Sequence, residues 1–293
     1  MSSSIKGHLY SIIAAMFSGL CIGVGKIILL DCSTTLLVVG LFISAVPINY
    51  AWWRLNRNEF RDIPFNPGKL YLITIQAALS VTAIFTLWYG ISMLDPTVGA
   101  FLTRFEVLVV IVLGIAIFKD RFKLLEAIGA AALLSGLFLI RYKADIDISR
   151  GMFIILGSAT IFGISEIIAK RIVKYFEPDL FALIRNSHIL IFILTVSIIN
   201  GNLSSLDFGR YYYLIPLAGF LGPGMGRPMY LHALKHLEVS KVSTLNQLQP
   251  LAAAAVAYFS LGLIPGVKEW IGGFLIISGC TIMIQGRQKR KPG

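Results

Sequence analysis

Residues 94–140, LDPTVGAFLTRFEVLVVIVLGIAIFKDRFKLLEAIGAAALLSGLFLI, and residues 237–283, LEVSKVSTLNQLQPLAAAAVAYFSLGLIPGVKEWIGGFLIISGCTIM, are two copies of one pattern. At a constant offset of 143 and without a gap, Leu94 meets Leu237, Glu126 meets Glu269, Gly129 meets Gly272 and Gly136 meets Gly279. The flanking sequence extends the match at an offset of 144, where Gly7 meets Gly151, Ala15 meets Ala159, Gly19 meets Gly163 and Lys26 meets Lys170. The chain is therefore a tandem repeat. If each unit crosses a membrane an odd number of times, the second unit stands upside down relative to the first. Inverted repeats with a substrate site at their interface are a common build of secondary transporters.

Composition supports the membrane. The 293 residues are 56% hydrophobic and only 14% charged, with a mean hydropathy of +0.78. A soluble domain carries about 25% charged residues, so a water-soluble protein is excluded. Apolar runs near the length of about 20 residues that a bilayer requires fall at 8–30, 34–54, 70–93, 97–118, 124–141, 151–173, 179–199, 211–235, 240–262 and 267–285. The expected fold is an all-α polytopic membrane protein with ten transmembrane helices arranged as two inverted five-helix repeats. The first repeat occupies 1–145 (spans one to five), the second 146–286 (spans six to ten), and 287–293 form a basic cytoplasmic tail. The polar stretch Arg141 to Arg150 joins the repeats as a linker. The first apolar run continues to Leu30 without a small-residue cleavage site and reads as a retained helix rather than a signal peptide.

The net charge of +11 does not build a nucleic-acid face, because the basic residues are scattered between apolar runs. It sets orientation instead. With the N-terminus inside, seventeen Lys and Arg fall in inner segments and five, Arg141, Lys143, Arg150, Arg210 and Lys268, in outer ones. Both termini are then cytoplasmic by the positive-inside rule, and the expected location is the plasma membrane, of the bacterial inner-membrane kind. The remaining four, Lys26, Arg104, Arg185 and Arg227, lie within spans. Cys21, Cys32 and Cys280 have no metal or pairing spacing, and Cys21 and Cys280 read as packing residues.

The paired stretches at 94–140 and 237–283 resemble the signature of the EamA family in the drug/metabolite transporter superfamily. That signature has a polar, often Glu-Pro, element mid-helix, then a small-residue helix end, then a Glu or Trp before a glycine-containing last helix. The chain departs from it in places. The mid-helix element is Glu106-Val107 in the first copy and Gln249-Pro250 in the second, and the Gly-Glu pair that commonly follows is Lys119-Asp120 and Gly262-Leu263. The resemblance implies ten helices, both ends inside, and movement of small metabolites by alternating access, with spans 1, 3, 4, 6, 8 and 9 lining a central cavity. It does not imply a substrate.

Charged side chains in hydrocarbon cost about 2.5–3.5 kcal/mol each on insertion scales and usually face a cavity or a partner. Glu106 lies near the middle of the fourth span, on one helical face with Gly99 and Thr103. It is a candidate for substrate-amine contact or proton exchange, or it forms a structural ion pair with Arg104 or another arginine. Arg104 and Glu106 are two apart and do not face each other on a regular helix. In the ninth span Ser240, Ser243 and Gln247 share a face, with Asn246 beside it. Under the repeat, Glu106 corresponds to Gln249 and Arg104 to Gln247. The copies differ in charge at equivalent positions, which suits an asymmetric substrate; hydrogen bonding between helices is the bland alternative.

Glu166 and Lys170 are spaced for an i, i+4 pair, and Lys170 with its equivalent Lys26 could gate opposite mouths. The stretch GFLGPGMGRP, Gly219–Pro228, cannot hold a regular helix unaided. A broken helix there would expose backbone groups to a cavity, and Arg227 within it could meet a substrate carboxylate or pair with Glu106 or Glu166. Trp88, Tyr89 and Tyr230 are aromatic candidates, and Arg185 and His188 are three apart and can meet. No phosphate-binding loop, HExxH or GxSxG is present, so ATP-driven pumping and hydrolysis have no sequence basis. No cofactor is called for. The expected partners are a small-molecule substrate, lipid and protons, with the substrate an amino acid or related zwitterion. A passive channel is the alternative class, and an intramembrane enzyme using Glu106, His188 and His232 the remote one.

Overall fold

The structure is a computed structural model that describes residues 3–56, 67–118, 124–141, 146–173, 175–199, 209–237, 242 and 245–288. All regular elements among them are helical. The first repeat contains α1 (Ser3–Ile28), α2 (Thr34–Asn56), α3 (Leu70–Met93), α4 (Pro96–Leu102), α5 (Phe105–Phe118) and α6 (Leu124–Arg141). The second contains α7 (Ile146–Ile172), α8 (Pro178–Ile199), α9 (Leu214–Gly219), α10 (Arg227–His236), α11 (Gln249–Leu261) and α12 (Val267–Gln288). A π-helical segment, Phe220–Gly226, links α9 to α10, and a 3₁₀ turn, Asn246–Leu248, leads into α11.

Seven helices among the described residues are long and apolar enough to cross a membrane, and Leu124–Ile140 is a shorter apolar helix. The runs expected at 211–235 and 240–262 are not single long helices. Gly222, Pro223, Gly224 and Gly226 turn the first into α9, the π segment and α10. The second is partly outside the described residues and enters α11 through its 3₁₀ turn.

The repeat is visible in the packing. Helices α6 and α12 are repeat equivalents and pack on each other more extensively than any other pair. A Cβ added at Gly129 would lie 2.6 Å from the Gly279 carbonyl oxygen, and one at Gly136 would lie 2.5 Å from that of Gly272. The reciprocal approaches, Gly272 to Gly136 O and Gly279 to Gly129 O, are 2.8 and 2.5 Å. Advancing along α6 therefore means retreating along α12, so the helices are antiparallel. The two contacts also exchange when the repeats are swapped. Only glycine permits backbones this close, the small-residue packing that membrane helices use in place of a hydrophobic drive.

Other contacts obey the same exchange. Gly7 meets the Leu237 side chain, and Gly151 meets that of Leu94. Gly19 lies against the Gln249 carbonyl and Gly163 against that of Glu106. Helices α3 and α10 both end on an extended leucine, Leu94 (φ −124°) and Leu237 (φ −123°). After Leu94 the chain restarts at once. Asp95 caps α4, its Oδ1 accepting from Thr97 N at 2.7 Å, and Pro96 supplies the first-turn φ.

The fourth expected span, 97–118, is interrupted where the sequence predicts regular helix. Between α4 and α5 the hydrogen bonds shorten to the 3₁₀ pattern: Arg104 N to Phe101 O (3.0 Å), Glu106 N to Thr103 O (3.1 Å) and Val107 N to Arg104 O (3.0 Å). Thr103 Oγ1 donates back to Ala100 O at 2.8 Å. No glycine or proline marks this break. Its repeat equivalent is the 3₁₀ turn Asn246–Leu248, so both copies tighten at the same place.

Candidate functional site

The three interruptions, at Thr103–Arg104, Phe220–Gly226 and Asn246–Leu248, border one cavity of about 210 Å³. Drug-sized ligands occupy pockets of about 300–1,000 Å³, so this space suits a small metabolite. Both repeats supply the wall. Arg104 and Glu106 come from the first copy, Glu166, Arg185 and Arg227 from the second, and Trp88 and Tyr230 add aromatic faces. The lining also reaches α2 through Leu41 and Phe42 and α8 through Arg185, beyond the spans that family resemblance implies.

The charged groups are anchored unequally. Arg227 Nη1 donates to Glu166 Oε1 at 2.6 Å, an ion pair whose side chains are 16% and 15% exposed. The Arg227 guanidinium also lies 5.2 Å over the Tyr230 ring. Arg104 is held by neutral acceptors from both repeats: Thr103 Oγ1 (3.0 Å), the Asn246 carbonyl (3.1 Å) and the Gln249 side-chain oxygen. Arg185 likewise donates to Gln76 Oε1 at 3.0 Å and Asn186 Oδ1 at 2.8 Å. Glu106 has no hydrogen-bond partner among the described residues. Arg227 Nε and Nη2, Arg104 Nε and Glu166 Oε2 are buried without hydrogen-bond partners among the described residues.

A network of amides holds this arrangement. Gln76 donates to Ser165 Oγ (2.9 Å) while accepting from Arg185. Asn186 donates to Asn49 Oδ1 (2.7 Å) and to the Pro223 carbonyl (2.9 Å), and Asn49 donates to the Gly224 carbonyl. The Pro223 carbonyl, passed over because Arg227 N bonds Gly222 O, and the Gly224 carbonyl, whose helical donor position is Pro228, thus find side-chain donors, as low-dielectric surroundings require. Sequence reasoning missed Asn49, Gln76 and Asn186. Their signal was present, since an amide in an apolar run calls for a partner, but the partner lies on another helix.

The sequence candidates are distributed as follows. Thr103, Arg104, Glu106, Trp88, Glu166, Arg227, Tyr230, Asn246 and Gln249 all line the cavity. Gln247 is buried outside that lining. Ser240 and Ser243 lie outside the described residues. Glu166 turns to Arg227 rather than along its helix to Lys170, which is exposed. Lys26 is buried and donates to the Ile91 and Ser92 carbonyls at 3.0 and 2.8 Å, compensating the C-terminal end of α3. Arg185 and His188 do not meet. His188 Nδ1 lies 3.4 Å from Thr74 Oγ1 while Arg185 turns to Gln76. Tyr89 is half exposed, away from the cavity.

The sequence model of the EamA-like transporter family matches residues 5–142 and again 149–285. The chain belongs to the EamA-like transporter family. Its two family segments coincide with the two halves that pack by exchange, and with its apolar helices they make it a multi-pass membrane protein of the drug/metabolite transporter superfamily. No curated protein sequence matches the chain. One solved structure, described only as "Crystal structure of protein", superposes over 99% of both chains with a TM-score of 0.64 at 13% identity. That likeness concerns the fold alone. Glu106 and its equivalent Gln249 both fall on the cavity wall, where the two copies carry different charge.

Proposed function

We propose that this EamA-like protein is a secondary transporter that carries a small polar metabolite across the plasma membrane by alternating access. It crosses the bilayer ten times, as two five-helix repeats in inverted orientation, with both termini cytoplasmic. The antiparallel pairing of α6 and α12 supports the inversion, because equivalent helices of two parallel repeats would run the same way. The Lys and Arg distribution supports the orientation.

The observation that carries the reading is the meeting of interrupted helices from both repeats around charged side chains. Discontinuous helices at a repeat interface are where secondary transporters place substrate, and rocking of one repeat against the other would open that site to each side in turn. Glu106, a carboxyl in the cavity wall with no hydrogen-bond partner among the described residues, is the coupling group in this reading, taking up and releasing a proton as the cavity changes sides.

Counterflow tests it. Purified protein in liposomes is loaded with pools of unlabelled small metabolites and offered labelled traces outside. A transient overshoot with one pool is expected of a carrier. Saturable electrical leak without overshoot would assign a channel instead. In the Glu106→Gln variant, counterflow should persist while uptake driven by a pH gradient is lost.

A further inference from the structure

Five arginine and glutamate side chains of the described residues line the cavity: Arg104, Arg185 and Arg227 against Glu106 and Glu166. Glu166 and Arg227 cancel each other at 2.6 Å. What remains is two guanidinium groups and one carboxylate. Among the described residues, neither Arg104 nor Arg185 hydrogen-bonds to a carboxylate. Their donors go to a hydroxyl, a backbone carbonyl and amide oxygens. Neutral acceptors orient an arginine without neutralising it. The described wall therefore keeps one net positive charge, in a setting where uncompensated charge is costly.

The unused hydrogen-bonding capacity adds a second constraint. Among the described residues, Arg227 Nε and Nη2 and Arg104 Nε are buried donors with no hydrogen-bond partner, whereas Glu106 and Glu166 Oε2 are acceptors with none. A ligand that completes the wall must present an anionic, two-oxygen group to the unused guanidinium donors, the geometry a carboxylate offers to arginine. It must also present at least one N–H or O–H donor to the unused carboxylate oxygens.

We propose that the substrate of this cavity is a small organic monoanion, a carboxylate that also carries a hydrogen-bond donor, rather than a neutral zwitterion or a cation. The inventory of residue types alone suggests a zwitterion, because acids and bases coexist. The distances change that reading, since one acid and one base are spent on each other. The inference rests on the transporter reading only for its route across the membrane, and not for binding.

Repeat equivalence supplies the decisive variant. Gln249 occupies the position of Glu106 and already accepts from Arg104. Gln249→Glu keeps that acceptor and adds one negative charge, bringing the cavity to neutrality with little change of shape. Purified wild-type protein in detergent would be tested for thermal stabilisation by sodium lactate, sodium glutamate, alanine and lysine hydrochloride at matched ionic strength, and the same four used for counterflow. Lactate or glutamate, each net −1 at neutral pH, should stabilise the wild type, and alanine and lysine should not. In Gln249→Glu the anion affinity should fall by at least about tenfold, the scale of one added unit charge nearby, and alanine should gain relative to it. Arg185→Gln should reduce anion binding likewise, and Arg185→Lys should restore part of it.

Stabilisation by alanine or lysine equal to that by the anions, or no stabilisation by either anion, would overturn the inference. Anion binding without counterflow would instead leave it standing and remove the transporter reading. Counterflow of alanine or lysine in the absence of anion counterflow would do the reverse.

Discussion

The interface of α6 with α12 and the wall of the cavity are both built from repeat-equivalent residues, yet they have diverged to opposite degrees. At the interface Gly129, Gly136, Gly272 and Gly279 are the same residue in both copies, and their contacts interchange when the repeats are swapped. At the cavity Glu106 has Gln249 as its equivalent, and Arg104 has Gln247, which is buried outside the lining, so equivalent positions differ in charge. Backbone-to-backbone contact leaves no room for variation, so the scaffold stays symmetric. The cavity needs only a helix interruption at the same height in each copy, and the side chains around it are free to differ. Symmetry here belongs to the frame and asymmetry to the cavity wall.

The comparison breaks first at the glycines. Gly136→Leu or Gly272→Leu forces side-chain atoms into an opposing backbone, and overpacking of this kind costs about 1–3 kcal/mol or more. Against a close-approach seam the expected outcome is loss of monodisperse protein on size-exclusion chromatography in detergent. Gly157→Ala, where an added Cβ meets nothing within 4 Å, should be recovered normally. A well-behaved Gly136→Leu protein would mean the seam is not what sets the arrangement of the repeats.

The next effect belongs to the cavity. Glu166→Gln or Arg227→Gln leaves one charge of a largely buried pair uncompensated, a change that costs about 3–5 kcal/mol in fully buried cases and less here in proportion to exposure. Each single variant should melt earlier in detergent than the wild type. The double variant, which removes both charges, should melt later than the worse of the two singles. Additive losses would show that the pair is not coupled.

A smaller effect separates the two lysines. Lys26→Met removes a cation from two helix-end carbonyls and should cost about 1 kcal/mol. Lys170→Met should stay within about 0.5 kcal/mol, as for an exposed side chain. Equal thermal shifts would argue that the equivalent lysines still play equivalent parts.

The smallest effect is at Glu177, in the turn between α7 and α8. Burial, and then the neighbouring Asp179, push its carboxyl above the usual range, with Lys235, His232 and a Trp53 hydrogen bond acting the other way. A carboxyl raised in the folded state contributes stability at pH below its unfolded value, and that contribution is lost as pH rises through the folded one. Thermal scans across that interval should show a slight decline with pH that Glu177→Gln flattens. An unchanged slope would exclude Glu177 as its source.

Much of the frame could be read from the chain alone, because a repeat offset and four aligned glycines are properties of sequence. The irregular eighth span was legible for a similar reason: glycines and prolines between Gly219 and Pro228 have few regular options. The break at Thr103–Arg104 was not. The step from α to 3₁₀ bonding is small, no glycine or proline announces it, and it became visible only as the counterpart of Asn246–Leu248. The arginine partners were hidden too. The local spacing of Glu166 and Lys170 suggests a pair along one helix, but Lys170 reaches solvent while Arg227 stays buried beside Glu166, where a low dielectric strengthens the contact. The acceptors for Arg185, Gln76 and Asn186, come from α3 and from α8 itself, and no spacing rule chooses them.

The central claim is that one cavity, shared by the two repeats, opens to each side in turn. Ser18 lines it from α1. The direct measurement places a single reporter there, Ser18→Cys with Cys21, Cys32 and Cys280 replaced by serine, in sealed vesicles of known orientation. A membrane-impermeant thiol reagent is then applied from one side at a time. Alternating access predicts modification from both sides, with a bound substrate changing the two rates in opposite directions. Modification from one side only, whatever the ligand, would contradict the account.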